Sequence, residues 1–175
     1  GDSAARDLAD AVAELAALLD DVESARDDGA AWIEEARARE ASLREQLPAR
    51  TDRIESLRDI HADGALQPAL DNAEEAATAL GFASDALDEA STAFHAQVQR
   101  YLAGTELVER ARDALAAVEG LYAEVEAKAD SLARAQTQAE ERGNDLAELV
   151  NELSDALAAP APFATTTTLE AFADL

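Results

Sequence analysis

Mostly apolar side chains recur at alternating intervals of four and three residues along much of this chain, and this spacing limits what it can fold into. From residue 66 to residue 101 the recurring positions are Leu66, Leu70, Ala73, Ala77, Leu80, Ser84, Leu87, Ser91, Phe94, Val98 and Tyr101. From residue 108 to residue 157 they are Val108, Ala111, Leu115, Val118, Tyr122, Val125, Ala129, Leu132, Gln136, Ala139, Gly143, Leu146, Val150, Leu153 and Leu157. A sustained repeat of about 3.5 residues is typical of helices that pack against one another. Because no stretch alternates like a β-strand, we predict an all-α fold with coiled-coil-type heptad packing.

The first part of the chain carries the same spacing in two shorter stretches. The first stretch contains Leu8, Val12, Leu15, Leu19 and Val22. The second contains Ile33, Ala36, Leu43, Leu47, Ile54 and Leu57, and the charged residues Glu40 and Arg50 interrupt it. Turn signals rich in Gly and Asp, at residues 27–29 and 61–64, and the Gly-Thr pair at 104–105 separate the stretches. We therefore predict four helices, at about residues 3–26, 30–60, 66–102 and 106–157.

Short turns place consecutive helices antiparallel. The favoured architecture is therefore an elongated up-down-up-down four-helix bundle that covers residues 1–158. The alternative joins the first two segments into one helix, which gives a three-helix rod that resembles a spectrin repeat. Pro48 is expected to kink or split the second predicted helix, with Thr51 available as a new N-cap.

The composition changes abruptly after the last predicted helix. Residues 159–175 contain Pro160, Pro162 and a run of threonines, and we interpret most of this segment as a linker. Its end differs, because Thr167 and Glu170 match a capping box. A short C-terminal amphipathic helix is predicted there, with an apolar face that would dock on another surface: Leu169, Phe172 and Leu175.

The charge balance restricts the possible partners. The chain has 38 acidic and 14 basic residues, a net charge of −24. Nucleic acids and anionic membranes are repelled by such a surface, so neither is an expected partner. Screening by salt would relieve the self-repulsion, and the basic residues are almost all Arg. This combination resembles the adaptation of halophile proteins, haloarchaeal ones above all, and we expect hydrated cations to be held non-specifically on the acidic surface.

Residues suited to catalysis or metal binding are sparse. There is no cysteine, and the two histidines, His61 and His95, belong to no recognisable catalytic or metal-binding motif. We therefore predict no enzymatic activity, no catalytic or metal-binding residues and no cofactor. Trp32, the single tryptophan, is interpreted as a core residue or as a partner-docking residue.

These observations favour a non-enzymatic structural protein, a scaffold whose helical bundle binds a protein partner or associates with itself. One alternative is the ligand-sensing bundle of a membrane receptor, since polar seam positions such as Ser84 are compatible with a pocket between helices. A second alternative is an amphipathic coat on an apolar surface. No apolar run approaches the roughly 20 residues of a membrane span. We favour a cytoplasmic location, with an extracellular domain of a larger chain as the alternative.

Overall fold

The computed structural model describes residues 2–95 and 97–158, and 92% of these residues are helical. They form three helices, α1 (Asp2–Glu55), α2 (Asp63–Phe94) and α3 (Tyr101–Ala158), and no strand occurs among them. The prediction of an all-α fold is confirmed. Contacts divide the chain into two units, residues 1–132 and 133–175, and α3 contributes to both. The linker and short helix predicted for residues 159–175 lie outside the described residues.

The described residues contain three helices where the turn signals predicted four. The predicted break at residues 27–29 is wrong, because α1 runs through it without interruption. Asp27 accepts a hydrogen bond from Arg26 at 2.8 Å, so its carboxylate lies on the helix surface rather than in a turn. The first two predicted segments are therefore one helix, as the alternative prediction had it.

Gly29 and Gly104 serve close packing rather than helix termination. A Cβ atom added at either glycine would come within 2.8 Å of the Phe94 ring, which lies against both positions. Gly29 is inside α1, and Gly104 is inside α3 rather than at a helix end. A glycine that admits an aromatic ring has the same sequence signature as a glycine that ends a helix, and this explains both errors.

Pro48 does not end or split its helix. It lies inside α1, which continues to Glu55 and stops short of the predicted end at residue 60. Thr51, the candidate N-cap, instead donates its hydroxyl to the carbonyl oxygen of Leu47 at 3.2 Å, as threonines inside helices commonly do.

The reversal between α2 and α3 comes earlier than the sequence indicated. α2 ends at Phe94 instead of residue 102, and α3 begins at Tyr101 instead of residue 106. Gln99 has a φ of 52°, in the left-handed region, and the backbone N–H of Arg100 donates to Ala93 at 2.9 Å. These local bonds turn the chain within a segment that the heptad spacing had assigned to a helix.

The three helices share a core within the first unit. Near the α2–α3 reversal the core joins one residue from each helix: Ile33, Ala90 and Val108. Near the other end of α2 it again joins all three helices: Ile54, Leu66 and Ala129. Because residue numbers rise along α1 and α3 and fall along α2 in the same direction, α2 runs antiparallel to the other two. The buried side chains are largely Ala, Leu and Val, which permits close helix approach.

We expect Gly29→Ala to lower the melting temperature, because the new Cβ would push the Phe94 ring out of place. Gly120→Ala is the matched control: Gly120 is exposed inside α3, and nothing lies within 4 Å of its added Cβ. That control should stabilise the helix by about 1 kcal/mol and raise the melting temperature by about 2–4 °C. Thermal denaturation measured by circular dichroism compares the two variants.

The contact with Phe94 is tested further by Phe94→Leu in the Gly29→Ala background. The smaller side chain should recover part of the loss, so the two substitutions should be non-additive. If Gly29→Ala stabilises as much as Gly120→Ala, the close contact with Phe94 is not a constraint.

Candidate interaction surface

The N-terminal part of α1 exposes a row of large apolar side chains. Residues 3–21 are all exposed, although they carry the heptad spacing of a packed helix. We call this row the N-terminal face, and its side chains are between 49% and 66% exposed: Leu8, Val12, Leu15, Leu18 and Leu19. Contiguous exposed apolar side chains of this kind mark interaction sites in soluble proteins.

The N-terminal face is uncovered because α2 and α3 meet before they reach it. α2 ends with Phe94 against Gly29, and Val22 lines a small groove with residues 99–103 of the connection and α3. The first buried residue along α1 is Ala25, which is 1% exposed. Within the first unit, residues 3–21 of α1 therefore extend past the reversal that closes the core.

Charged side chains are turned away from the N-terminal face. With a rotation of about 100° per residue, Asp7, Asp10 and Glu14 lie on the opposite half of the helix. The positions that flank the seam are small or apolar: Ala4, Ala9, Ala11, Ala16 and Leu18. The apolar surface is therefore about as wide as that of a helix buried in a bundle, and no like charges border it.

The second unit carries a similar surface. Residues 137–158 of α3 are all exposed. Their large apolar side chains, which we call the C-terminal face, are between 53% and 85% exposed: Leu146, Leu149, Val150, Leu153 and Leu157. Apart from Leu149, these positions continue the heptad spacing of the last predicted helix, and they are exposed in the described residues.

An internal repeat relates the two faces. The sequence DLADAVAELAALL at 7–19 matches DLAELVNELSDAL at 145–157 without gaps, at a constant separation of 138 residues. The identical pairs are Asp7 and Asp145, Leu8 and Leu146, Ala9 and Ala147, Val12 and Val150, Glu14 and Glu152, Leu15 and Leu153, Leu19 and Leu157. Heptad assignment passes over this repeat, because it records only which positions are apolar. A comparison of the chain with itself would have found it.

A groove of about 630 Å³ adjoins the N-terminal face between α1 and α3. Leu18, Trp32 and Leu102 form its apolar part. The charged residues around them are Asp21, Glu106, Glu109 and Arg110. Trp32 is half-buried and also packs against the core group of Ile33, Ala90 and Val108. Its position is compatible with both sequence interpretations, since the ring contacts the core and lines the groove.

The predicted docking residues other than Trp32 lie outside the described part of the chain. Leu169, Phe172 and Leu175 belong to residues 159–175, so the structure does not place them. Except for Leu18 and Leu149, the exposed residues of the N-terminal and C-terminal faces occupy seam positions of the heptad spacing. Heptad spacing does not show where a neighbouring helix ends, and that position decides whether a seam residue is buried or exposed.

The histidines and carboxylates do not converge in the described residues. His61 lies in the connection between α1 and α2, and His95 follows the last residue of α2, so the length of α2 separates them. Among residues 2–95 and 97–158, no three His, Asp or Glu side chains form a group that could hold a metal ion.

Arginines link the helices of the first unit through ion pairs. Arg39 of α1 contacts Glu119 of α3 at 2.7 Å, and Arg37 of α1 contacts Asp88 of α2 at 2.6 Å. The hydrogen bond from Arg39 lowers the pKa of the Glu119 carboxyl. Arg53 bridges α1 to α3 through Glu126 and Asp130. A planar guanidinium suits such links, because it can donate to two carboxylate oxygens at once.

Tyr122 is a buried titratable residue with a specific hydrogen-bond partner in the core. Its hydroxyl donates to the carbonyl oxygen of Leu43 at 2.7 Å, and the Arg50 guanidinium lies 4.4 Å from the ring centre. Burial raises the pKa of the Tyr122 phenol, although the nearby Arg50 and Arg44 act in the opposite direction. This arrangement supports the packing of α1 on α3.

Comparisons with known proteins return no similarity: no protein-family model matches the chain, and no curated protein or solved structure matches it significantly. None of the helices, over the residues described, combines the length and the hydropathy that a membrane span requires.

We expect Tyr122→Phe to change the pH dependence of stability. The folded chain holds the phenol proton more tightly than the unfolded chain, whose tyrosine ionises near pH 10. The contribution of Tyr122 is therefore fully present below about pH 10 and is lost as pH rises toward its raised folded pKa. The variant should be about 1 kcal/mol less stable at pH 7, and its difference from wild type should shrink above pH 10. Urea denaturation of the variant and the wild type at pH 7 and above pH 10 measures the free energies of unfolding. The same stability difference at both pH values would contradict the prediction.

Proposed function

We propose that the protein is a non-enzymatic scaffold whose exposed helix faces bind other protein helices. The observation that carries this proposal is the uncovered heptad seam at residues 3–21, with leucines about half exposed or more on a helix whose other half is packed in a core. Packed and exposed parts of α1 share one spacing. The exposed part therefore has the chemistry to pack against helices too.

The coiled-coil packing that the sequence predicts belongs to this proposal. The N-terminal face has Leu8 and Leu15 at one set of seam positions, and Val12 and Leu19 at the other. Leu at the first set with a β-branched residue at the second is typical of two-stranded coiled coils, and Val12 fits this pattern whereas Leu19 does not. A helix with the same spacing would bury these side chains, and each fully buried Leu or Val contributes about 1.5–3 kcal/mol.

A ligand-binding role has one specific observation in its favour, the groove beside Trp32. Three acidic residues line it, Asp21, Glu106 and Glu109, against one basic residue, Arg110. The acidic surplus would favour neutral or cationic ligands over anionic ones. Because Leu18 belongs both to the groove and to the N-terminal face, we favour an extended helix as the occupant of this region.

Replacing the centre of the N-terminal face should abolish partner binding. We expect Leu15→Glu with Leu19→Glu to reduce binding more than tenfold, because a charge buried in an apolar interface costs more than about 1.4 kcal/mol. The immobilised chain is incubated in molar KCl with lysate of the source cells, and the proteins it retains are quantified by mass spectrometry.

The matched control is Ala13→Glu with Ala17→Glu, which adds the same charge on the opposite side of the same helix segment. This variant should retain partners as wild type does. All four positions are exposed, so circular dichroism should show both variants folded. Equal retention by wild type and both variants would contradict a docking role for the N-terminal face.

A halophilic origin is part of the proposal and rests on the charge. With a net charge of −24, the folded chain repels itself at low salt. The chain has 38 acidic residues and only 14 basic ones, so ion pairs can offset only part of its negative charge.

Stability should therefore rise with salt. We expect the melting temperature to increase strongly between about 0.1 M and 2 M KCl, because the Debye length falls from about 10 Å to about 3 Å or less. Lowering the pH toward 4.5 at low salt should partly replace KCl by protonating surface carboxylates. Equal melting temperatures at both KCl concentrations would refute the halophilic interpretation.

A further inference from the structure

We propose that the N-terminal face of one copy pairs in parallel with the C-terminal face of a second copy, so that residues 7–19 lie beside residues 145–157 of the other molecule. This inference rests on the proposed function and names the partner of the exposed helix. It concerns contacts between two molecules only.

The internal repeat supplies the register of this pairing. At the separation of 138 residues, Leu15 faces Leu153 and Val12 faces Val150. Parallel two-stranded coiled coils place identical heptad positions opposite each other, with Leu at one seam position and β-branched residues at the other. In both segments one seam set holds only Leu, with Leu8 and Leu15 matching Leu146 and Leu153. The other set holds one β-branched residue and one Leu, with Val12 and Leu19 matching Val150 and Leu157. The two segments are therefore identical at these four seam positions, and both leave them exposed in the described residues.

The charges of the two segments do not oppose the contact. The acidic residues shared by the two copies of the repeat, such as Glu14 and Glu152, lie on the side of the helix away from the seam. The positions beside the seam are mostly Ala and Leu in both segments. Because they are uncharged, they do not favour a basic helix over a second copy of this chain as the partner. The remaining repulsion acts at longer range and is screened by salt.

The lengths of the two faces also match. Val22 is the next seam position after Leu19, and residues 99–103 of the same copy lie beside it. In the proposed register Ala158, where α3 of the second copy ends, faces Asp20, so the described part of that helix stops before Val22. The pairing helix therefore need not pass the reversal between α2 and α3. Two N-terminal faces paired in the same register would instead bring two such reversals into one place.

Complementary variants test the pairing in purified protein. The first variant, Leu15→Glu with Leu19→Glu, disables the N-terminal face. The second, Val150→Glu with Leu153→Glu, disables the C-terminal face. In 2 M KCl, sedimentation equilibrium should show the wild type as a dimer or larger species and each variant alone as a monomer, with association about tenfold or more weaker.

An equimolar mixture of the two variants should restore association and stop at a 1:1 dimer, because it contains one intact face of each kind. Self-association of the first variant alone would show pairing between C-terminal faces. Self-association of the second alone would show pairing between N-terminal faces. Either result, or a wild type that stays monomeric at about 100 μM, well above a typical micromolar Kd, would overturn the inference.

Disulfide trapping tests the register, since the chain has no cysteine of its own. Leu15→Cys in one tagged copy and Leu153→Cys in another should form a mixed disulfide under oxidation. Leu15→Cys with Leu146→Cys, displaced by one heptad or about 10 Å, should not. Equal trapping of both combinations would contradict a fixed parallel register.

The failure of this inference can be told apart from failure of the scaffold proposal. If the purified wild type stays monomeric while lysate partners still bind in a Leu15- and Leu19-dependent way, the second copy is excluded and the scaffold role remains. If neither purified nor lysate association depends on these residues, both proposals fail.

Discussion

The contact of Phe94 with Gly29 and Gly104 fixes the arrangement of the first unit. The ring lies within 2.8 Å of where a Cβ on either glycine would stand, so it packs the end of α2 against α1 and the first turn of α3. α2 ends at this contact, and α3 begins a few residues later and runs antiparallel to α2. Within the described residues of the first unit, the part of α1 before residue 22 then stays exposed, although its sequence has the spacing of a packed helix.

Much of the fold follows from sequence patterns, because helix content and seam positions depend on local spacing. Leu66, Leu80 and Leu115 were placed in seams and are fully buried. Helix ends were less predictable, since Gly29 looked like a stop and functions as a packing surface. The candidate site was harder still. Leu15 and Leu115 occupy similar seam positions, and only the extent of the neighbouring helices makes one exposed and the other buried.

Several of the few basic residues in the first unit form ion pairs between helices. Arg39 and Arg53 connect α1 to α3, and Arg37 connects α1 to α2, so positive charge is placed between helices rather than spread over the surface. These ion pairs are largely exposed and contribute little individually. Each places a positive charge beside a carboxylate of a neighbouring helix and so offsets part of the local negative charge.

The continuity of α1 couples its exposed half to its buried half. Starting a helix in water is costly, whereas adding a residue to an existing helix is not. Residues 25–54 of α1 include the side chains that pack in the core, so this segment is already helical when the molecule is folded. Residues 3–21 extend the same helix and need no separate nucleation. A molecule that covers the exposed leucines therefore meets a helix that needs no nucleation. By mass action, its binding also shifts the unfolding equilibrium of the core to which that helix is joined.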